Sequence, residues 1–199
     1  MTCPPKGLPR RRAIGFFQFS SKTLERFFPF ILVMSLKNRY PIGASGPCIL
    51  VTGGAGYVGS HVVLELLDSE FRVVVLDSLV TGFRWAVDPR ATFVEGCVED
   101  EALVGRLLHD HEVCAILHFA GSTIAPESVR DPLKYYRNNT VASQSLLESA
   151  VAKQVRHFVF SSTAAVYGPL GLDPVSEDSA PRRRFQEAIG SRRCCCDNI

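Results

Sequence analysis

Four glycines, Gly53, Gly54, Gly56 and Gly59, follow the apolar run Ile49-Leu50-Val51 and the Thr52 that ends it, at the start of a helical pattern. Glycine in that place lets the backbone turn tightly and come close to a ligand. The helix N-terminus behind it attracts negative charge, so the chemistry on offer is capture of a phosphate or pyrophosphate. Two spacings fit at once: Gly54, Gly56 and Gly59 satisfy GxGxxG, while Gly53, Gly56 and Gly59 satisfy the looser TGxxGxxG. Taken alone, such a triplet also fits a plain strand-to-helix connection. Asp77 supplies a second component. It lies eighteen positions beyond Gly59 at the end of the next apolar run, where a dinucleotide fold places an acid on the adenosine ribose. Standing alone, Asp77 reads as a turn or cap residue. A carboxylate on the ribose 2′-hydroxyl would repel a 2′-phosphate, so the pair of features favours NAD over NADP.

Those residues need a scaffold, and the surrounding pattern predicts one. Ile49 to Val51 is an unbroken aliphatic run suited to a strand buried on both faces. Val58, Val62, Val63, Leu66 and Leu67 recur at helical spacing after the glycines, and Arg72 to Leu76 forms the second strand. Thr92 to Val94 reads as a third strand, Cys97 to Asp100 as a turn, and Leu103, Leu107 and His111 as one helix face. Val113 to Phe119 is a fourth strand, followed by the small pair Ala120-Gly121, which permits close backbone approach at a strand's carboxyl end. A long helix is expected to start at Asp131-Pro132, with Asp131 as N-cap, and to run through Leu146, Leu147 and Val151. His157 to Ser162 is the fifth strand. This alternation predicts an α/β fold, a doubly wound parallel sheet of order 3-2-1-4-5.

The 199 residues suffice for one good core, whereas a dinucleotide fold with a full substrate lobe usually needs more. The net charge of +2 conceals an asymmetry. Residues 1–47 carry eight Lys/Arg and one acid, residues 48–180 nine and seventeen, and residues 181–199 five and two. The centre therefore reads as an acidic NAD-binding domain (48–180) between a basic extension (1–47) and an aberrant tail (181–199). The apolar run Phe27 to Met34 contains Pro29 and is too short to span a bilayer. Residues 1–33 read as an upstream extension or a mistaken start before Met34, ahead of a transit peptide or a basic arm. No aromatic interleaving supports nucleic-acid binding. The seven cysteines form no CxxC pair, so neither a metal site nor a disulfide framework is expected, and a reducing cytoplasm is the simplest setting. Cys48 and Cys114 fall in strands as small hydrophobes, and His109 and His111 read as surface or packing residues.

The segments VTGGAGYVGSH, VVLDSLVTG, HFAGSTIAPESV, DPLKYYRNNT and HFVFSSTAAVYG, in order from Ile49 to Glu177, resemble the UDP-glucose 4-epimerase family of extended short-chain dehydrogenases/reductases. Sister epimerases and dehydratases acting on nucleotide sugars share several of them. The resemblance implies NAD as cofactor, a nucleotide sugar as substrate, and interconversion of UDP-glucose and UDP-galactose in galactose metabolism. It places Gly53, Gly56, Gly59 and the backbone of Tyr57 and Val58 at the pyrophosphate. Asp77, Ser78, Leu79, Val80, Thr81 and Gly82 would surround the adenosine ribose, with Cys97 and Val98 beside the adenine. Phe119, Ala120 and Gly121 would line the cofactor and Asn138 its nicotinamide half. Thr163 matches the family's catalytic hydroxyl toward the sugar's 4-oxygen, and Tyr167 would shape the wall of the site.

Several positions depart from that pattern. Cys97 stands where the family usually has Asp to accept from the adenine amino group, and Thr123 replaces a common lysine. More seriously, the family's tyrosine and the lysine four positions later have no counterpart, since no tyrosine follows Tyr167 and no lysine follows Lys153. That lysine lowers the tyrosine pKa toward neutrality so that a tyrosinate can take the proton from the 4-hydroxyl. After PVSEDSAP the chain turns instead to RRRFQEAIGSRRCCCDNI, which reads as a frameshifted or truncated ending. The expectation is a truncated, inactive form, with the family's homodimer in doubt. The alternatives are a catalytically dead NAD-binding fragment, or a relative that acts on another nucleotide sugar.

Overall fold

The computed structural model describes residues 46–161. The elements are β1 (Cys48–Thr52), α1 (Tyr57–Asp68), β2 (Arg72–Asp77), a 3-10 turn (Arg84–Ala86), β3 (Thr92–Glu95), α2 (Glu101–Asp110), β4 (Val113–His118), α3 (Ala125–Arg130), α4 (Pro132–Tyr135), a π-helical turn (Tyr136–Val141), α5 (Ala142–Ala152) and β5 (His157–Phe160). All strand pairs are parallel, in the order β3-β2-β1-β4-β5. This is the doubly wound arrangement expected from the alternating pattern.

Period-two alternation along each central strand sends neighbouring side chains to opposite faces. Ile49, Val51, Val73, Val75, Ala115 and Leu117 pack with Val62, Val63 and Leu66 of α1. Cys48, Leu50, Val74, Leu76 and Ile116 pack on the other face with Val104, Leu107 and Leu108 of α2 and with Leu146 and Ala150 of α5. β1 is buried along its whole length because both faces are covered. Its position at the centre follows from the same cause.

The helix boundaries have local reasons. Asp100 caps α2 by accepting from the Leu103 N–H at 2.9 Å, and Asp131 caps α4 by accepting from the Lys134 N–H at 3.2 Å. α1 ends with Glu70 at φ 66°, the Phe71 N–H reaching the Leu66 carbonyl and the Glu70 N–H the Leu67 carbonyl. α5 closes the same way through Gln154 (φ 58°), Val155 and Ala150. Both are six-to-one helix endings that normally select glycine. With Glu and Gln in those places, composition gave no warning of them.

Two expectations are corrected. The helix predicted from Asp131 onward is not a single α-helix, because the π-turn widens it at Tyr136–Val141. The fifth strand stops at Phe160, before Ser161, and the expected end at Ser162 lies outside the described residues. The basic extension 1–47, except its last two residues, and the tail 181–199 lie outside the described residues.

Candidate functional site

The carboxyl ends of the strands lie level, since Thr52 pairs with Leu76 and His118, Asp77 with Glu95, and His118 with Phe160. β1 lies between β2 and β4, and the chain order reverses there, leaving a crevice beyond the strand ends where open α/β sheets take ligands. The glycine turn enters this crevice. The Gly53 N–H donates to the Leu76 carbonyl at 2.9 Å, and the Gly56 N–H folds back onto the Gly53 carbonyl at 3.2 Å. Gly53 has φ +72°, and a Cβ there would lie 2.5 Å from the Ala120 nitrogen. Gly59 is pressed against the same turn, where a Cβ would come within 2.2 Å of the Gly53 carbonyl oxygen. Those contacts favour the Gly53, Gly56, Gly59 frame. Gly54 serves packing, its Cβ position lying 2.7 Å from a Val75 methyl.

Asp77 holds the turn to the loop after β2. One carboxylate oxygen accepts from the Ala55 N–H at 2.9 Å and the other from the Leu79 N–H at 2.8 Å, while the Phe83 N–H donates to the Ala55 carbonyl at 3.0 Å. Each carboxylate oxygen keeps a second lone pair. An Asp77→Asn variant can accept from only one of the two N–H groups and turns an NH2 toward the other. It is expected to lose about 1–3 kcal/mol of stability. Urea unfolding checks this, and a change within experimental error would contradict the clasp.

A cleft of about 290 Å³ opens beside these residues. Gly53 and Gly56 line it from the turn, and Asp77, Ser78, Val80, Thr81 and Gly82 from the loop after β2. Cys97 and Val98 reach it from beyond β3, Phe119, Ala120 and Gly121 from beyond β4, and Asn138 from the π-turn. Four of the expected residues do not line it. Tyr57 is 83% exposed and Val58 half exposed on the first turn of α1, and Gly59 is buried under the turn. Leu79 instead adopts φ 57° and spends its N–H on Asp77. Thr163 and Tyr167 lie outside the described residues.

Several contributors had not been foreseen. Ser122, Gly96 and Glu99 also line the cleft, and a buried polar network lies behind it. His118 is almost fully buried on β4, with its Nδ1 2.6 Å from Thr52 Oγ1 and its Nε2 2.9 Å from Ser143 Oγ. Its ring lies beside Phe158 and Phe160, at 6.0 and 5.8 Å between centroids. Burial pushes the imidazole pKa down to about 4, so it is neutral at pH 7. The Asn139 side chain accepts from the Ser122 N–H at 2.7 Å and donates to the Ser122 carbonyl at 3.0 Å. The Tyr135 hydroxyl, buried in the same helical run, donates to the Ile124 carbonyl at 2.8 Å. The segment after Gly121 is thus held at two places. The signal for this network was two polar residues, Thr52 and His118, at the ends of otherwise apolar buried strands.

Among the described residues, no group of three metal-ligating side chains occurs and no helix is long and apolar enough to cross a membrane. Cys48, Cys97 and Cys114 are not joined in disulfides. The sequence pattern of the NAD dependent epimerase/dehydratase family matches residues 49–188. A UDP-glucose 4-epimerase of Lactobacillus helveticus is 49% identical over 131 residues, covering 66% of this chain and 40% of that protein. The crystal structure of UDP-glucose 4-epimerase from Brucella ovis in complex with NAD is similar with TM-score 0.63 and 39% identity, over 69% of this chain and 42% of that one. The enzyme from Bifidobacterium longum in complex with NAD+ and UDP is similar with TM-score 0.62 and 33% identity, over 68% and 43%. The chain spans about two fifths of the length of these relatives.

Proposed function

The chain belongs to the NAD dependent epimerase/dehydratase family, and from that premise we propose that its residues 48–180 are the NAD-binding part of a UDP-glucose 4-epimerase-type protein. The observation that carries this reading is Asp77, whose carboxylate anchors the glycine turn while lining the cleft at the sheet's switch point. Its free lone pairs suit a ribose 2′-hydroxyl, and its charge opposes a 2′-phosphate. The pyrophosphate would lie on the first turn of α1, where the N-cap Gly56 makes no side-chain cap, so that the backbone of Tyr57 and Val58 remains the donor. Cys97 and Val98 would border the adenine. Phe119, Ala120, Gly121 and Asn138 would border the nicotinamide half.

Bound NAD would supply a hydride acceptor for the 4-position of a UDP-sugar and return the hydride to the opposite face. Thr163 would donate or accept a hydrogen bond at that oxygen, but a threonine hydroxyl cannot act as a base near neutrality. The 199 residues contain no tyrosine after Tyr167 and no lysine after Lys153. As they stand, they bind cofactor without epimerising sugar. A reducing cytoplasm fits Cys48, Cys97 and Cys114, which are not joined in disulfides, and a role in galactose metabolism fits the relatives' substrate.

Calorimetric titration of the 199-residue chain tests this reading. NAD should bind at least about tenfold more tightly than NADP, the discrimination expected from one charge repulsion of about 1.4 kcal/mol. UDP-galactose should not turn over. Absence of NAD binding would refute the cofactor assignment, equal NADP binding would refute the role of Asp77, and turnover would refute the missing-base argument.

A further inference from the structure

The buried network behind the cleft has a fixed direction. Ser143 has one hydroxyl proton, and its oxygen lies at hydrogen-bond distance from both His118 Nε2 and the Asn139 carbonyl. A carbonyl only accepts, so the Ser143 proton goes to Asn139 and the His118 Nε2 must carry the proton it donates to Ser143. Neutral imidazole then has a bare Nδ1, which accepts from the Thr52 hydroxyl at 2.6 Å. The chain runs from Thr52 to His118 to Ser143 to the Asn139 carbonyl, linking the ends of β1 and β4 to the π-turn.

Ser143 bonding back four residues, onto Asn139, is the kind of contact that bends or widens a helix. It does so where Asn138 and Asn139 project. The Asn139 amide grips both backbone groups of Ser122, and Asn138 Nδ2 donates to Ser122 Oγ at 3.0 Å. Ser122 and Asn138 both line the cleft. They stand on the β4 side of the switch point, whereas Asp77 stands on the β2 side.

We propose that His118 is a positioning residue: in its Nε2–H form it sets the π-turn through Ser143, and thereby fixes Ser122 and Asn138 at the end of the cleft that receives the half of NAD remote from the adenosine. The inference rests on the NAD reading above. It also separates this end from the Asp77 end, because the network runs from Thr52 on β1 toward β4 and the π-turn, and none of its hydrogen bonds reaches Asp77 or the loop after β2.

The test measures NAD and ADP affinity on the full chain for Ser143→Ala, Ser143→Thr and His118→Phe, together with thermal unfolding of each. Phenylalanine keeps a ring beside Phe158 and Phe160, and Ser143→Ala cuts the network with a smaller change should His118→Phe not fold. Ser143→Ala is expected to weaken NAD about tenfold, as for one lost hydrogen bond, and to leave ADP unchanged, while Ser143→Thr restores NAD affinity. Equal loss of NAD and ADP would mark general loosening and overturn the proposal, as would unchanged NAD affinity in a folded Ser143→Ala chain. The imidazole nitrogen shifts of His118 give a readout independent of any ligand. They should report a neutral Nε2–H ring at pH 7, and a protonated Nδ1 overturns the proposal. If the wild-type chain binds ADP but not NAD, the proposal fails at the β4 side alone. If it binds neither nucleotide, the cofactor reading itself has failed and the proposal with it.

Discussion

Gly53→Ala is expected to abolish NAD binding and to destabilise the fold by about 3 kcal/mol or more, since backbone strain and overpacking add at one residue. The left-handed conformation at φ +72° is the first contribution. The second is larger, because the new Cβ would lie 2.5 Å from the Ala120 nitrogen and 2.6 Å from the Phe119 carbonyl carbon. These are backbone atoms that no rotamer change can move. Relief requires the ends of β1 and β4 to part, which also pulls on the Phe119 N–H bond to the Thr52 carbonyl at 2.9 Å. The crevice between those ends is where the cofactor would sit. Gly56→Ala is the control, its Cβ meeting nothing closer than the Gly53 carbonyl oxygen at 3.3 Å. Urea unfolding and NAD titration of both variants decide the matter. Equal damage from the two substitutions would contradict the crowding argument.

Acid should destabilise the protein through His118. Its pKa is held near 4 by burial, against an ordinary value near 6.5. Between these values the unfolded chain binds a proton that the folded chain does not, so stability falls as pH drops from 6.5 toward 4 and levels off below the folded value. At 1.36 kcal/mol per unit, the contribution lost over that window is about 3 kcal/mol. Carboxylates titrate in the lower part of the same range, so the measurement is a difference. Urea unfolding at pH 7 and at pH 4 should show that His118→Phe loses less stability on acidification than the wild type. The variant starts lower at pH 7, because Thr52 and Ser143 lose their partner. Equal losses in both proteins would mean that the ring is protonated in the folded state or exposed to water.

Local sequence patterns specify the sheet and one side of the cleft. β1, β2 and β4 are apolar runs buried on both faces, and short-range chemistry punctuates them: the glycines after Thr52, the acid at Asp77, the small pair Ala120-Gly121, and the caps Asp100 and Asp131. Periodicity and turn chemistry are local properties, so they can be read in order along the chain. The strand order followed because parallel strands joined by helices have few allowed arrangements. Tertiary structure alone decided which glycine frame is used, since Gly53 and Gly59 matter through contacts with Ala120 and with each other. It also decided the π-turn and the network from Thr52 through His118 to Ser122. Thr52 and His118 are 66 positions apart, and His118 and Ser143 25. No periodicity links such residues; they meet because parallel pairing sets Thr52 level with His118, and packing of α5 on that face brings Ser143 to the ring.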